Sequence, residues 1–128
     1  MNTKLIMTLT AILLAILGLT LTFAPDQMIM MLGMKNSIVL SLILQLLGAM
    51  YFAFAMLNWM AKGAIIGGIY NKPIAIANLS HFLISGLALT KAVLYNHQLP
   101  IIFIFMAGLF IILAVIFWLI TSRHPETK

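Results

Sequence analysis

The sequence predicts an all-α integral membrane protein: an up-down four-helix bundle with left-handed packing, folded as a single transmembrane domain over residues 1–128. Three observations predict it. Charge is scarce, four apolar runs have spanning length, and small residues recur along each run. Of 128 residues, 64% are hydrophobic and 7% charged, seven basic against two acidic. A soluble domain carries about 25% charged residues. So few charges cannot cover a water-facing surface, and the partner of most side chains is the lipid bilayer.

The spans follow in order. A helix needs about 20 apolar residues to cross the hydrocarbon. The first run is 5–23, closed by Ala24-Pro25-Asp26. It is longer than the apolar core of a signal peptide, so it reads as a retained span. The second is 37–60, closed by Lys62-Gly63. The third is 73–94 and the fourth 100–120, each opened by a proline, Pro73 and Pro100. Proline suits a first helical turn, where its missing N–H costs nothing. Trp59, Tyr70, Tyr95 and Trp118 lie near span ends, as an aromatic belt requires.

Between the spans, Pro25 to Lys35 carries Met28, Met31 and Leu32 at helical spacing and reads as a short amphipathic turn on the membrane surface. Lys62 to Lys72 is apolar and glycine-containing and is expected at the interface. Its Gly67-Gly68 lacks the Lys-Ser/Thr and the preceding strand of a phosphate loop. Asn96-His97-Gln98 suffices for a tight hairpin.

Orientation follows from the basic residues. Lys4, Lys62, Lys72, Arg123 and Lys128 share one side; Lys35 and Lys91 share the other. The excess places both termini in the cytoplasm of a bacterial inner membrane. The net charge of +5 is thereby spread over helix ends, with no basic cluster that would suggest nucleic acid.

Lipid gives helices no hydrophobic reason to associate, so small residues must let them approach. The expected packing stripes are Thr8, Ala11, Ala15, Gly18, Thr22 in the first span and Ser41, Gln45, Gly48, Phe52, Ala55 in the second. They are Asn78, His81, Ser85, Ala88, Ala92 in the third and Ile104, Ala107, Ile111, Ala114, Trp118 in the fourth. A repeat averaging 3.5 residues implies the left-handed crossing.

The candidate ligand-binding residues are Gln45, Asn78, His81 and Ser85. Polar groups deep in a membrane are costly unless paired, and they raise a functional hypothesis by default. His81 falls within about 5 Å of the bilayer centre at 1.5 Å per residue. The bland alternative is an interhelical hydrogen bond, worth about 0.6 kcal/mol on average. Gln45 is the natural partner on the second span, offset by about 8–10 Å along the axis. Asn58 and Trp59 read as interfacial anchors, and Lys91 as a side chain reaching to the headgroups.

Catalytic and metal sites find little support. The chain has no cysteine, which excludes thiolate chemistry. Asp26 and Glu126 are its only carboxylate side chains, and neither lies within a span, where proton-coupled transport would need one. A haem with two histidine ligands needs a second buried His, and His97 and His124 lie outside the spans. A symmetric dimer pairing two copies of His81, or a His–Met ligand pair, stays open, while the ten methionines read more simply as adaptable packing. No cofactor and no metal are expected.

One pattern resembles a known group. Gln45-Leu46-Leu47-Gly48-Ala49, Asn58-Trp59-Met60-Ala61-Lys62 and Asn78-Leu79-Ser80-His81 follow in the order seen in small four-helix bacterial membrane proteins of uncharacterised activity. Ala24-Pro25 and Leu32-Gly33 also fit. The layout is loosely similar to the DoxX-like set and covers about the first 90 residues. Gln45 stands where the pattern carries Arg. The resemblance implies a link to quinone-dependent membrane oxidoreductases, yet no residue here transfers that activity. Three readings result: a non-enzymatic module or accessory subunit, alone, as a homo-oligomer or with a membrane-complex partner; a binder or transporter of a small apolar or amphipathic molecule, such as a quinone or lipid, near His81; and a DoxX-like oxidoreductase component.

Overall fold

The computed structural model describes residues 2–64 and 71–122. The helices run α1 (Thr3–Phe23), α2 (Pro25–Met31), α3 (Ile38–Ala61), α4 (Lys72–Tyr95) and α5 (Ile101–Ser122). Among the described residues there is no strand. All but α2 are long and apolar enough to cross a membrane, and the chain is an integral membrane protein. The expected span limits agree with the helices to within two residues. The 62–72 connection falls largely on residues 65–70, and Tyr70, Arg123, His124, Glu126 and Lys128 are likewise outside the described residues.

The chain divides into two compact units, Met1–Ala64 and Ile65–Lys128. In the first, α1 packs along α3, with the short α2 against both. The pair is antiparallel: Gly18 meets Gly48 and Phe52, while Thr22, one turn later, meets Gly48. Glycine is required at the crossing. A Cβ on Gly18 would stand 2.7 Å from the Phe52 backbone N, and one on Gly48 would stand 2.8 Å from both Gly18 O and Thr22 N. Only residues without a side chain let backbones approach so closely.

Local chemistry fixes the ends. Asn2 caps α1, its side chain accepting from Leu5 N at 3.1 Å, and Ser37 caps α3, accepting from Leu40 N at 3.1 Å. Helix α2 closes with Gly33 at φ 69°. Gly33 N donates to Met30 O and Met34 N to Ile29 O, the paired bonds of a Schellman turn. That turn reverses the chain and returns Asn36 and Ser41 to the start of α2, where they meet Asp26. The apolar face of α2 differs from expectation. Pro25 and Ile29 are buried, four residues apart, whereas Met31 is exposed.

In the second unit α4 and α5 form an antiparallel hairpin across Asn96–Pro100. Phe82 touches both Phe110 and Phe117, and Gly86 faces Ile111. Pro73 lies in the first turn of α4, as expected. Pro100 instead precedes α5 and accepts from Phe103 N at 3.0 Å.

The buried stripes run close to the expected ones but rotate toward larger residues. Helix α1 buries Met7, Thr10, Ala11, Leu14 and Gly18; α3 buries Gly48, Tyr51, Ala55, Asn58 and Ala61. Helix α4 buries Ala75, Asn78, Phe82 and Gly86; α5 buries Ala107, Phe110, Ala114, Phe117 and Ile120. Ile104 and Trp118, expected inside, are more than half exposed. The 3.5-residue spacing is kept on α5 through Ala107, Phe110, Ala114 and Phe117, but the stripe takes in Phe110 and Phe117, which meet the Phe82 ring. Asn58, expected as an interfacial anchor, is fully buried, with Nδ2 donating to Phe54 O at 2.8 Å. Its own helix supplies that acceptor, so the amide needs no headgroup.

Candidate functional site

Among the described residues, two polar groupings stand out, one in each unit. The first stands where α2 and α3 begin. Asp26 lies in the first turn of α2, Asn36 ends the turn, Ser37 caps α3, and Ser41 and Gln45 follow at four-residue spacing from it. This spacing puts Ser41 and Gln45 on one helix stripe, in line with the capping Ser37. Asn36 Nδ2 donates to Asp26 Oδ1 at 3.0 Å, and Ser41 Oγ donates to the same oxygen. Ser41 Oγ also lies 3.2 Å from Asn36 Oδ1. The two donors to Asp26 stabilise its charged form and hold the carboxyl below its ordinary value, while slight desolvation opposes them. It is ionised at neutral pH.

Beside this cluster opens a pocket of about 480 Å³ lined by Pro25, Asp26, Asn36, Ser37, Ile38, Ser41, Leu42 and Gln45. One part of the lining is acid, amide and hydroxyl; the rest is apolar. Ile38 is 90% exposed and Leu42 about half exposed at its rim.

The second grouping is on α4. Asn78 is fully buried and its Nδ2 donates to Ile74 O at 2.9 Å. His81 is half-buried, its ring 5.1 Å from that of Phe82 and 5.9 Å from that of Phe110. Ser85 is half-buried one turn further. Asn78, His81 and Ser85 thus share one side of α4, as their spacing requires. Gln45 belongs to the first unit, where it is exposed and lines the pocket beside Asp26.

A third feature closes α3. Lys62 Nζ sits 2.9 Å from the centroid of the Trp59 ring, a cation–π pair at the helix end. Near it, Ala11, Ile12, Ala15, Phe52, Ala55, Met56 and Trp59 line an apolar groove of about 270 Å³. Among the described residues no group of three or more His, Cys, Asp and Glu is placed to hold a metal.

The sequence reading named Gln45 and missed the rest of its pocket. From the sequence, Asp26 counts only as a carboxylate outside the spans, and Ser41 only as a packing residue. The signal was present: Ser37, Ser41 and Gln45 at i, i+4, i+8, preceded by a glycine turn and one acid. No family model, curated protein or solved structure matches the chain.

Proposed function

We propose that the chain is a non-enzymatic membrane module that binds a small amphipathic molecule, in the bacterial cytoplasmic membrane with both termini in the cytoplasm. The observation that carries this reading is the pocket beside Asp26. Its volume of about 480 Å³ falls in the range of small-ligand sites, roughly 300–1,000 Å³. Its lining pairs a polar end with an apolar wall at the ends of membrane-spanning helices. An amphipathic molecule matches that pairing, because its head and chain have different solvation needs there. Basic residues stand five against two in favour of cytoplasmic termini, so the pocket opens on the outer face.

Native mass spectrometry of protein extracted in mild detergent tests it. The expected result is a retained amphiphile, lost on filling the pocket with Gln45→Trp and kept in His81→Ala. Retention that survives Gln45→Trp but not His81→Ala would move the ligand to the Asn78–His81–Ser85 side of α4. An absorbance spectrum of the same sample addresses the oxidoreductase alternative. A haem or flavin band would overturn the non-enzymatic reading, and the native mass spectra also give the oligomeric state.

A further inference from the structure

We infer that the head group held beside Asp26 is a protonated primary amine carried on a hydrocarbon chain; this rests on the pocket reading above and names its ligand class. The donors and acceptors decide it. Both bonds to Asp26 fall on Oδ1, and Oδ2 accepts none among the described residues. The Ser41 hydroxyl has one proton. When that proton is given to Asp26, Asn36 Oδ1 at 3.2 Å remains an acceptor. Ser37 Oγ accepts from Leu40 N, and Gln45 adds a side-chain carbonyl to the same lining. The lining therefore holds amide and hydroxyl donors on Asn36, Ser37 and Gln45 as well as acceptors, and its one charge is negative, on Asp26.

A primary ammonium offers three N–H donors and one positive charge. It can satisfy Asp26 Oδ2 and the amide oxygens together, with the charge-assisted bond the strongest of them. A hydroxyl head has one donor and no charge. A sulfate or phosphate would meet the Asp26 carboxylate and gain no cation from the lining. Lys35 is one residue from Asn36, yet it is absent from the pocket and makes no ion pair with Asp26 among the described residues. The carboxylate is thus not already neutralised from within. Pro25, Ile38 and Leu42 provide the wall along which the chain would lie.

Such an amine has two sources, an aminophospholipid head group or a free long-chain amine. The test uses the whole chain in phosphatidylcholine nanodiscs. Matched twelve-carbon probes are added: dodecylammonium, dodecyltrimethylammonium, dodecanol and dodecyl sulfate. Binding is read by native mass spectrometry and by thermal shift. Dodecylammonium is expected to bind best, and Asp26→Asn to weaken it about fivefold, as suits an exposed charge-assisted contact. Dodecanol is expected to be unchanged by that substitution. Dodecyltrimethylammonium, which has the charge but no N–H, is expected to fall between them.

Replacing phosphatidylcholine with phosphatidylethanolamine separates the sources. Loss of dodecylammonium binding means that the lipid head group occupies the site; its persistence means that the free amine does. Asp26→Lys supplies the reverse control, with dodecyl sulfate expected to become the preferred probe. Equal binding of dodecanol and dodecylammonium, unmoved by Asp26→Asn or Asp26→Lys, would overturn the amine and leave the amphiphile pocket standing. Failure of every probe to bind, with Gln45→Trp indifferent, would overturn the pocket itself.

Discussion

The two helix pairs are closed by opposite means. In α1 and α3 the crossing is made by removing side chains: Gly18 and Gly48 bring backbone against backbone. In α4 and α5 it is made by adding them: Phe82 lies edge-on to Phe110 at 5.3 Å and stacks with Phe117 at 5.8 Å. Both answer the same difficulty. Lipid is as apolar as a leucine side chain, so burying apolar area gains little, and association depends on contact quality. Glycine achieves contact by proximity and phenylalanine by interlocking shape. The two solutions should fail differently, the glycine pair on gaining atoms and the aromatic pair on losing them.

The largest effect is expected from removing a ring. Phe82 is fully buried and touches Phe110, Phe117 and His81, so Phe82→Ala opens a cavity that two rings border. In lipid the transfer part of the usual cost shrinks, because the side chain leaves one apolar medium for another. The cavity part remains, about 2–3 kcal/mol. Reversible unfolding in mixed micelles measures it. A loss below about 0.5 kcal/mol would mean that the ring stack does not hold the hairpin together.

Next is Gly48→Ala. The new Cβ would meet Thr22 N and Gly18 O, both backbone atoms, and neither can move without the helix that carries it. Overpacking of this kind costs about 1–3 kcal/mol. The same unfolding assay should show the loss, and cysteine cross-linking between α1 and α3 should slow as the helices part. A neutral Gly48→Ala would refute the close crossing.

This seam was only partly legible in the sequence. Gly18 and Gly48 fell on the expected stripes because small residues at helical spacing are a direct record of close approach. The aromatic seam was less legible. Phe82, Phe110 and Phe117 look like any lipid-facing phenylalanine until a partner is placed beside them, and the expected stripe chose Ile104 and Trp118 instead. Span limits read well because they depend on hydropathy alone. The pocket beside Asp26 did not, because it needs the Schellman turn at Gly33 to bring residues ten and fifteen positions apart together. Asn78, His81 and Ser85 fall on one side of α4 by helical spacing, which needs no tertiary information.

Gly86→Ala sharpens the contrast at smaller scale. It too is a buried glycine at a helix contact, but its nearest neighbour is Ile111 Cδ1 at 2.9 Å, the end of a flexible side chain, with the Ile111 backbone N at 3.3 Å. A rotamer change relieves most of the clash, at roughly 0.5–1.5 kcal/mol if the side chain is left off its minimum. Alanine also returns helix propensity, about 0.8–1.0 kcal/mol in water. The net change is expected near zero. Gly86→Ala as damaging as Gly48→Ala would mean that the second pair also depends on backbone proximity, and the distinction between the pairs would go.

The smallest effect is confined to one end of the first pair and is driven by pH. The hydrogen bonds from Ser41 and Asn36 hold the Asp26 carboxyl below its ordinary value of 3.8. A carboxyl lowered in the folded state contributes stability that is fully present above the unfolded value. That contribution declines as pH falls through 3.8 and is gone once pH passes the lower folded value. Because Asp26 is exposed, the response should be local rather than global. Hydrogen exchange between pH 5 and pH 3, corrected for intrinsic rates, should show amides of α2 and the first turns of α3 losing protection, while the middles of α4 and α5 keep theirs. Asp26→Asn, which has no such proton to gain, should flatten the response in α2 and α3. An acid response of equal size in the variant would show that the turn at Gly33, with its backbone bonds from Gly33 and Met34, positions this end of the molecule without help from the carboxylate.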